Sequence, residues 1–155
     1  MLALILKTLH VLSAIVFLGT GAGSAWYKLR ADTSGDVRVV AWAQREIVRA
    51  DWIFTVPSAV LLPASGAALV HVYGLPWRTD WVMLGFAAYV TAGVTWLPAA
   101  FLQIRMRRLA DEALAAGGPL PDAFHRDRRA WLALGFPSFL SAMAAIWVMV
   151  AKPYL

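Results

Sequence analysis

The residues of this 155-residue chain that could do chemistry are a few basic side chains set within long apolar segments. His10 follows Lys7 by three residues, so that both side chains lie on one side of a helix. His71 and Lys152 lie near the ends of two later apolar segments. A neutral imidazole in hydrocarbon needs a hydrogen-bond partner or a metal ion. His10 is therefore the first candidate for a functional side chain, either structural or metal-ligating.

A haem b site would explain His10 in chemical terms. Such a site needs a nitrogen ligand for the iron, an apolar slot for the flat ring, and cations for the propionates. Lys7, Arg78 and Lys152 could supply those cations. The slot would come from small residues at the expected depth of His10 in three other segments: Ser65-Gly66-Ala67, Ala87-Ala88 and Ala144-Ala145. The alternative is that His10 is structural and that the small residues only let helices pack closely.

The sequence shows no evident second axial ligand. His71 and His10 form the candidate pair of metal ligands, but His71 lies nearer the membrane surface by about 8 Å, at 1.5 Å per helical residue. Met143 lies at a more suitable depth and could equally belong to the core. His125 follows a glycine break and is predicted to be a solvated loop residue. The chain has no cysteine, which excludes disulfides, thiolate metal sites and covalent haem attachment.

Composition places these side chains in a membrane. Hydrophobic residues make up 61% of the chain and charged residues 15%, with mean hydropathy +0.64, whereas soluble domains are about 45–50% apolar and about 25% charged. Four segments are long enough to span a bilayer as helices: about 2–26, 52–73, 81–102 and 131–151. We predict an all-α fold, an integral membrane four-helix bundle forming one domain over residues 1–155.

The positive charges predict the orientation. Of the fourteen lysines and arginines, five lie between spans one and two and six lie between spans three and four. The positive-inside rule places both segments in the cytoplasm and both termini on the outer side, the periplasmic face of a bacterial inner membrane. Because topology accounts for the net charge of +5, the expected partner is the lipid bilayer and not nucleic acid.

The cytoplasmic segments are predicted to extend the helices. Residues 36–50 have an apolar helical face, which consists of Val37, Val40, Ala41, Gln44, Ile47 and Val48. Membrane-surface anchoring and partner docking are both open for this amphipathic helix. The third span should continue through residues 105–116 to the glycines at 117 and 118. Asp51 is expected to make contacts at the inner rim, with Arg49, Arg105 or Gln103.

Over nearly its whole length the chain resembles a bacterial family of predicted integral membrane proteins of unknown function. The resemblance rests on four stretches: Lys7-Thr8-Leu9-His10-Val11-Leu12-Ser13-Ala14, Arg49-Ala50-Asp51-Trp52, Thr95-Trp96-Leu97-Pro98 with Gln103-Ile104-Arg105, and Met149-Val150-Ala151-Lys152-Pro153.

More distantly, the chain is similar to the four-span bacterial protoporphyrinogen oxidases and to the copper-resistance D domain. With the oxidases it shares an opening Lys-x-x-His motif and a closing Val-x-Lys-Pro-aromatic motif that ends at Tyr154. This resemblance implies that His10 binds haem b and that Lys152 is a site residue. The sequence departs from the oxidases at residues 26–30, where they have a proline-arginine-aromatic motif.

We therefore expect a haem b-binding membrane redox protein, cytochrome b-like, that exchanges electrons with a quinone or a porphyrinogen. Whether it is an enzyme, as a protoporphyrinogen-oxidase-like oxidoreductase, stays open. One alternative is a copper or small-solute permease in which His10 and His71 are passing ligands. Another is a structural membrane subunit whose cytoplasmic helices dock a soluble enzyme. The glycine-rich stretch 19–23 also leaves a homo-oligomer open.

Overall fold

All regular structure in the computed structural model, which describes residues 1–153, is helical. The elements are α1 (Leu2–Asp32), α2 (Val37–Ala50), a π-helical turn (Asp51–Thr55), α3 (Val56–Val72), α4 (Asp80–Ala116) and α5 (Asp122–Ala151). Four helical stretches are long and apolar enough to cross a membrane, with α2, the π-helical turn and α3 forming one of them. The prediction of an all-α membrane four-helix bundle is confirmed. Tyr154 of the closing motif lies outside the described residues.

The helices are longer than the predicted spans. With 37 residues, α4 is about 55 Å long at 1.5 Å per residue, well beyond the ~30 Å of the hydrocarbon core. It continues through residues 105–116 as predicted and ends at Gly117, whose left-handed conformation (φ 63°) closes the helix. α5 begins at Asp122, directly after Pro121. His125 is exposed but lies in this helix, so the prediction of a loop there is wrong.

The charged helix extensions pack together at one end of the bundle. We call residues 27–51 and 103–130 the basic end, and the opposite end, with residues 1–10 and 71–81 and the end of α5, the terminal end. The apolar face predicted for residues 36–50 is largely buried in α2, where it packs on α4 and α1. Other helices of the same chain therefore cover this face, so it does not itself contact a membrane surface or a partner. Anchoring or docking by the exposed side of α2, which carries Trp42, stays a prediction.

The membrane-spanning parts pack as two helix pairs. α1 runs beside α3, and α4 runs beside α5, whereas the backbones of the consecutive helices α3 and α4 hardly approach each other. Contacts between the pairs are made mainly by α2 at the basic end. Large apolar side chains on the outside of the pairs, such as Leu4, Phe86, Phe136 and Trp147, are exposed. These side chains form the surface that the lipid bilayer would contact.

A tyrosine joins the two pairs where a proline interrupts hydrogen bonding. Pro63 lies inside α3 and has no backbone N–H, so the carbonyl of Ala59 lacks its usual donor four residues later. The hydroxyl of Tyr89 in α4 donates to that carbonyl oxygen at 2.5 Å. The contact satisfies a partly buried backbone acceptor, as the membrane interior requires, and it links α4 to α3.

Candidate functional site

The His10 ring is anchored on α3. Its Nδ1 atom lies 3.0 Å from the carbonyl oxygen of Leu62 and 3.0 Å from the hydroxyl oxygen of Ser65. Because a carbonyl oxygen can only accept, the first contact places the proton of the neutral ring on Nδ1. The Ser65 hydroxyl donates to the Leu61 carbonyl at 2.6 Å, which leaves its oxygen free to accept from His10. The anchor therefore fixes both the tautomer and the orientation of the ring.

This tautomer leaves Nε2 of His10 as a lone-pair acceptor. No group in residues 1–153 forms a hydrogen bond with that atom. Histidines that bind metals commonly donate their other ring N–H to a backbone carbonyl or a carboxylate, which holds the ring and increases its basicity. The bond from Nδ1 to Leu62 is of this kind. The ring of His10 is thus held through Nδ1, and its Nε2 lone pair is not used by a hydrogen bond within the described residues.

Gly66 allows the His10 ring to approach the backbone of α3. A Cβ atom built on Gly66 would lie 3.2 Å from Cε1 of His10 and 3.6 Å from Nδ1. The first distance is shorter than an ordinary van der Waals contact, so a side chain here would push the ring away. Of the predicted cofactor residues, Gly66 is the one that the structure brings directly to His10.

The other small residues predicted for the slot are not seen against the ring. Ala87 and Ala144 are exposed, and Ala88 and Ala145 are partly buried. α1 and α4 make at most a marginal backbone approach. Small residues of α4 serve its pairing with α5, since a Cβ on Gly85 would collide with the methyl group of Met149. The hydrogen bonds of the ring and its close approach to Gly66 all involve α3.

The predicted cationic residues lie at the terminal end. Lys7 and Arg78 are exposed there. Lys152 caps α5 in a left-handed conformation (φ 45°), and its Nζ lies 5.2 Å from the centroid of the Trp81 ring. This cation–π contact positions the Lys152 ammonium beside the start of α4.

His71 is not brought to His10. It is exposed in the last turn of α3, five residues beyond Gly66, which corresponds to about 7.5 Å along the helix. In the part of the chain that the structure describes, no group of three or more histidine, aspartate or glutamate side chains could hold a metal ion. A metal ion at His10 would therefore need most of its other ligand atoms from a cofactor and not from the protein.

The structure contains a buried ion pair at the basic end that was not predicted from the sequence. The side chains of Lys28 and Asp32 are fully buried, with Nζ 2.5 Å from Oδ2. Asp32 also accepts from Gln44 at 3.1 Å and from Arg128 at 3.2 Å. Lys28 lies over the Trp131 ring, 4.8 Å from its centroid. Lysine and aspartate four residues apart commonly pair on a helix. The predicted first span ends near residue 26, before both residues, so this pair could be predicted only from a longer α1.

Asp51 belongs to a second polar network in the same region. It accepts from the Thr55 hydroxyl at 2.8 Å and from the side-chain amide of Gln103 at 2.7 Å. The Trp131 indole N–H donates to the Oε1 oxygen of Gln103 at 2.6 Å. Gln103 was one of the predicted partners of Asp51, whereas Arg49 pairs with Glu46 and Arg105 with Asp127. Trp131 connects both networks, which together hold the helices in register.

Comparison with known proteins places the chain in a family. The model of the family described as "Predicted integral membrane protein (DUF2269)" matches residues 4–153. The chain belongs to this family. No curated protein and no solved structure matches it. The family description agrees with the four membrane-spanning helices and does not extend to a cofactor or a reaction.

Proposed function

We propose that this member of the family binds haem b through Nε2 of His10 and works as a membrane redox protein, with a quinone or a porphyrinogen as its electron partner. The observation that carries the proposal is the hydrogen bond from Nδ1 of His10 to the Leu62 carbonyl. It commits Nδ1 to the protein and leaves Nε2 with no hydrogen-bond partner among residues 1–153.

The surrounding residues would each have a distinct role. Leu62 and Ser65 orient the imidazole, and Gly66 gives it room beside α3. Lys7 lies about 4.5 Å toward the terminal end of the same helix, three residues at 1.5 Å each. Together with Arg78 and Lys152, it could neutralise propionates. Bound haem would supply one-electron chemistry, with a potential set by its ligands and burial.

The proposed setting is the inner membrane of a bacterium, with both termini in the periplasm. The support is the distribution of lysine and arginine, which is strongly biased toward the basic end. This orientation places His10 in the outer half of the bilayer. The protoporphyrinogen-oxidase-like activity is carried only by the resemblance in Lys7, His10 and Lys152.

Visible absorption spectroscopy tests the proposal. The purified chain, expressed with added haem precursor, should show Soret and α bands on reduction with dithionite. His10→Ala should abolish these bands. His125→Ala is the matched control, because His125 is exposed at the other end of the molecule, and it should leave the spectrum unchanged. A colourless wild-type preparation, or bands that persist in His10→Ala, would contradict the proposal.

A further inference from the structure

A groove on α4 crosses the boundary between its apolar and charged parts. The open space between its side chains has a volume of about 380 Å³. The residues that line it follow an order along the helix: first the apolar Phe101 and Ile104, then the cationic Arg105, Arg107 and Arg108, then the anionic Asp111 and Glu112. The predicted hydrocarbon span ends near residue 102, so the apolar part faces acyl chains and the charged part faces headgroups.

The side chains of the groove are open to a ligand. Phe101 is 71% exposed, and the side chains of Arg108 and Glu112 are 70% and 64% exposed. The last two lie one helical turn apart and are only loosely paired, with Nε and Oε1 3.6 Å apart. By contrast, Arg105 is 3.0 Å from Asp127.

Some charges of the groove already have short ion pairs within the chain. Asp111 is 2.7 Å from Arg45, and Arg105 is engaged as described above. The groups with capacity to bind a ligand are therefore Arg107, Arg108 and Glu112. They offer two cations nearer the membrane and one carboxylate about 6 Å further from it than Arg108, four residues at 1.5 Å per residue.

We propose that this groove binds an aminophospholipid of the phosphatidylethanolamine class. The acyl chains would lie along Phe101 and Ile104, the phosphate would accept from the guanidinium groups of Arg107 and Arg108, and the terminal ammonium would donate to Glu112. In such a lipid the order from the bilayer outward is acyl chain, phosphate, ammonium. The groove presents complementary groups in the same order.

The carboxylate distinguishes this lipid from other phospholipids. Phosphatidylglycerol carries the same phosphate but has no cation to neutralise Glu112, so its complex would keep an unpaired carboxylate. Phosphatidylcholine has a quaternary ammonium, which cannot donate a hydrogen bond. Glu112 thus selects for a primary ammonium, while the two arginines bind the phosphate that all three lipids share.

Lipid retention measured by native mass spectrometry tests the proposal. The full chain in detergent is incubated with equal amounts of the dioleoyl forms of phosphatidylethanolamine, phosphatidylglycerol and phosphatidylcholine. We expect phosphatidylethanolamine to be retained about threefold or more over each of the others, the range of one exposed charge pair. Glu112→Gln should remove this preference. Arg108→Gln should weaken retention of all three lipids.

Two matched variants control for the loss of charge alone. Glu46→Gln removes the chain's other glutamate, which is also paired with a nearby arginine on its own helix, and Arg129→Gln removes an exposed arginine of α5. Both should retain the wild-type preference. Equal retention of the three lipids, a preference for phosphatidylglycerol, or an unchanged preference in Glu112→Gln would overturn the proposal. Circular dichroism confirms that each variant is folded.

Discussion

His10 is partly buried and uses its two ring nitrogens unequally. Nδ1 is engaged twice, by the Leu62 carbonyl and the Ser65 hydroxyl, each at 3.0 Å. An unpaired polar atom that faces hydrocarbon is costly, so Nε2 would be stabilised by a ligand. The unequal use of the nitrogens is the physical basis for the proposal that Nε2 binds a ligand.

At the residue scale, Gly66→Ala should weaken haem binding roughly tenfold. Substitutions that disturb the orientation of a metal ligand typically lower metal affinity by about that factor or more. The new Cβ would lie 3.2 Å from Cε1 of His10 and would displace the ring. Gly93→Ala is the matched control, since a Cβ there meets nothing within 4 Å. Both variants gain the same helix propensity. Haem titration followed at the Soret band measures the difference, and equal affinities would contradict this role for Gly66.

At the scale of the elements, Tyr89→Phe should destabilise the bundle by about 1 kcal/mol, typical of a hydrogen bond between membrane helices. The lost donor leaves the Ala59 carbonyl unsatisfied. In a Pro63→Ala background the cost should shrink markedly, because residue 63 then has an N–H that can donate to the same oxygen. Unfolding in mixed micelles gives both free energies.

The control for this pair of variants is Tyr27→Phe, because Tyr27 is 71% exposed and its loss of a hydroxyl should have little effect. If Tyr89→Phe costs the same with proline or alanine at position 63, the hydroxyl does not compensate for the proline and this account of the α3–α4 contact is wrong.

The sequence predicted which segments are helical better than it predicted which faces meet. α2 has a polar and an apolar side, so the burial of Val40, Ala41 and Ile47 could be predicted from their spacing. In the spans, faces toward lipid and faces toward protein are both apolar, and periodicity does not separate them. The pairing of α1 with α3 depends on that missing information. The convergence of Lys28, Gln44 and Arg128 on Asp32 depends on how far α1 extends beyond the span.

At the scale of the whole molecule, the two ends differ in chemistry. The basic end contains the polar networks of Asp32 and Asp51 and the buried side chains of α2, whereas large exposed apolar side chains occur at both ends, for example Leu4 and Trp42. We infer that the basic end holds the helices together.

The orientation of the molecule can be tested by cysteine labelling, since the chain has no cysteine of its own. Trp77→Cys, in the turn at the terminal end, should react with a membrane-impermeant maleimide in intact cells. Ser34→Cys, in the turn at the basic end, should react only after permeabilisation. Both positions are exposed, so access to reagent decides the result. The reverse pattern would invert the topology and place His10 in the inner half of the bilayer.

The most direct test of the central claim is chemical rescue of the axial ligand. His10→Gly should lose the haem spectrum, and millimolar imidazole should restore it, because free imidazole can occupy the space beside Leu62 and Gly66 and coordinate the iron. Imidazole should have no effect on wild type. A haem spectrum in His10→Gly that equals wild type without imidazole would contradict the assignment of His10 as the ligand.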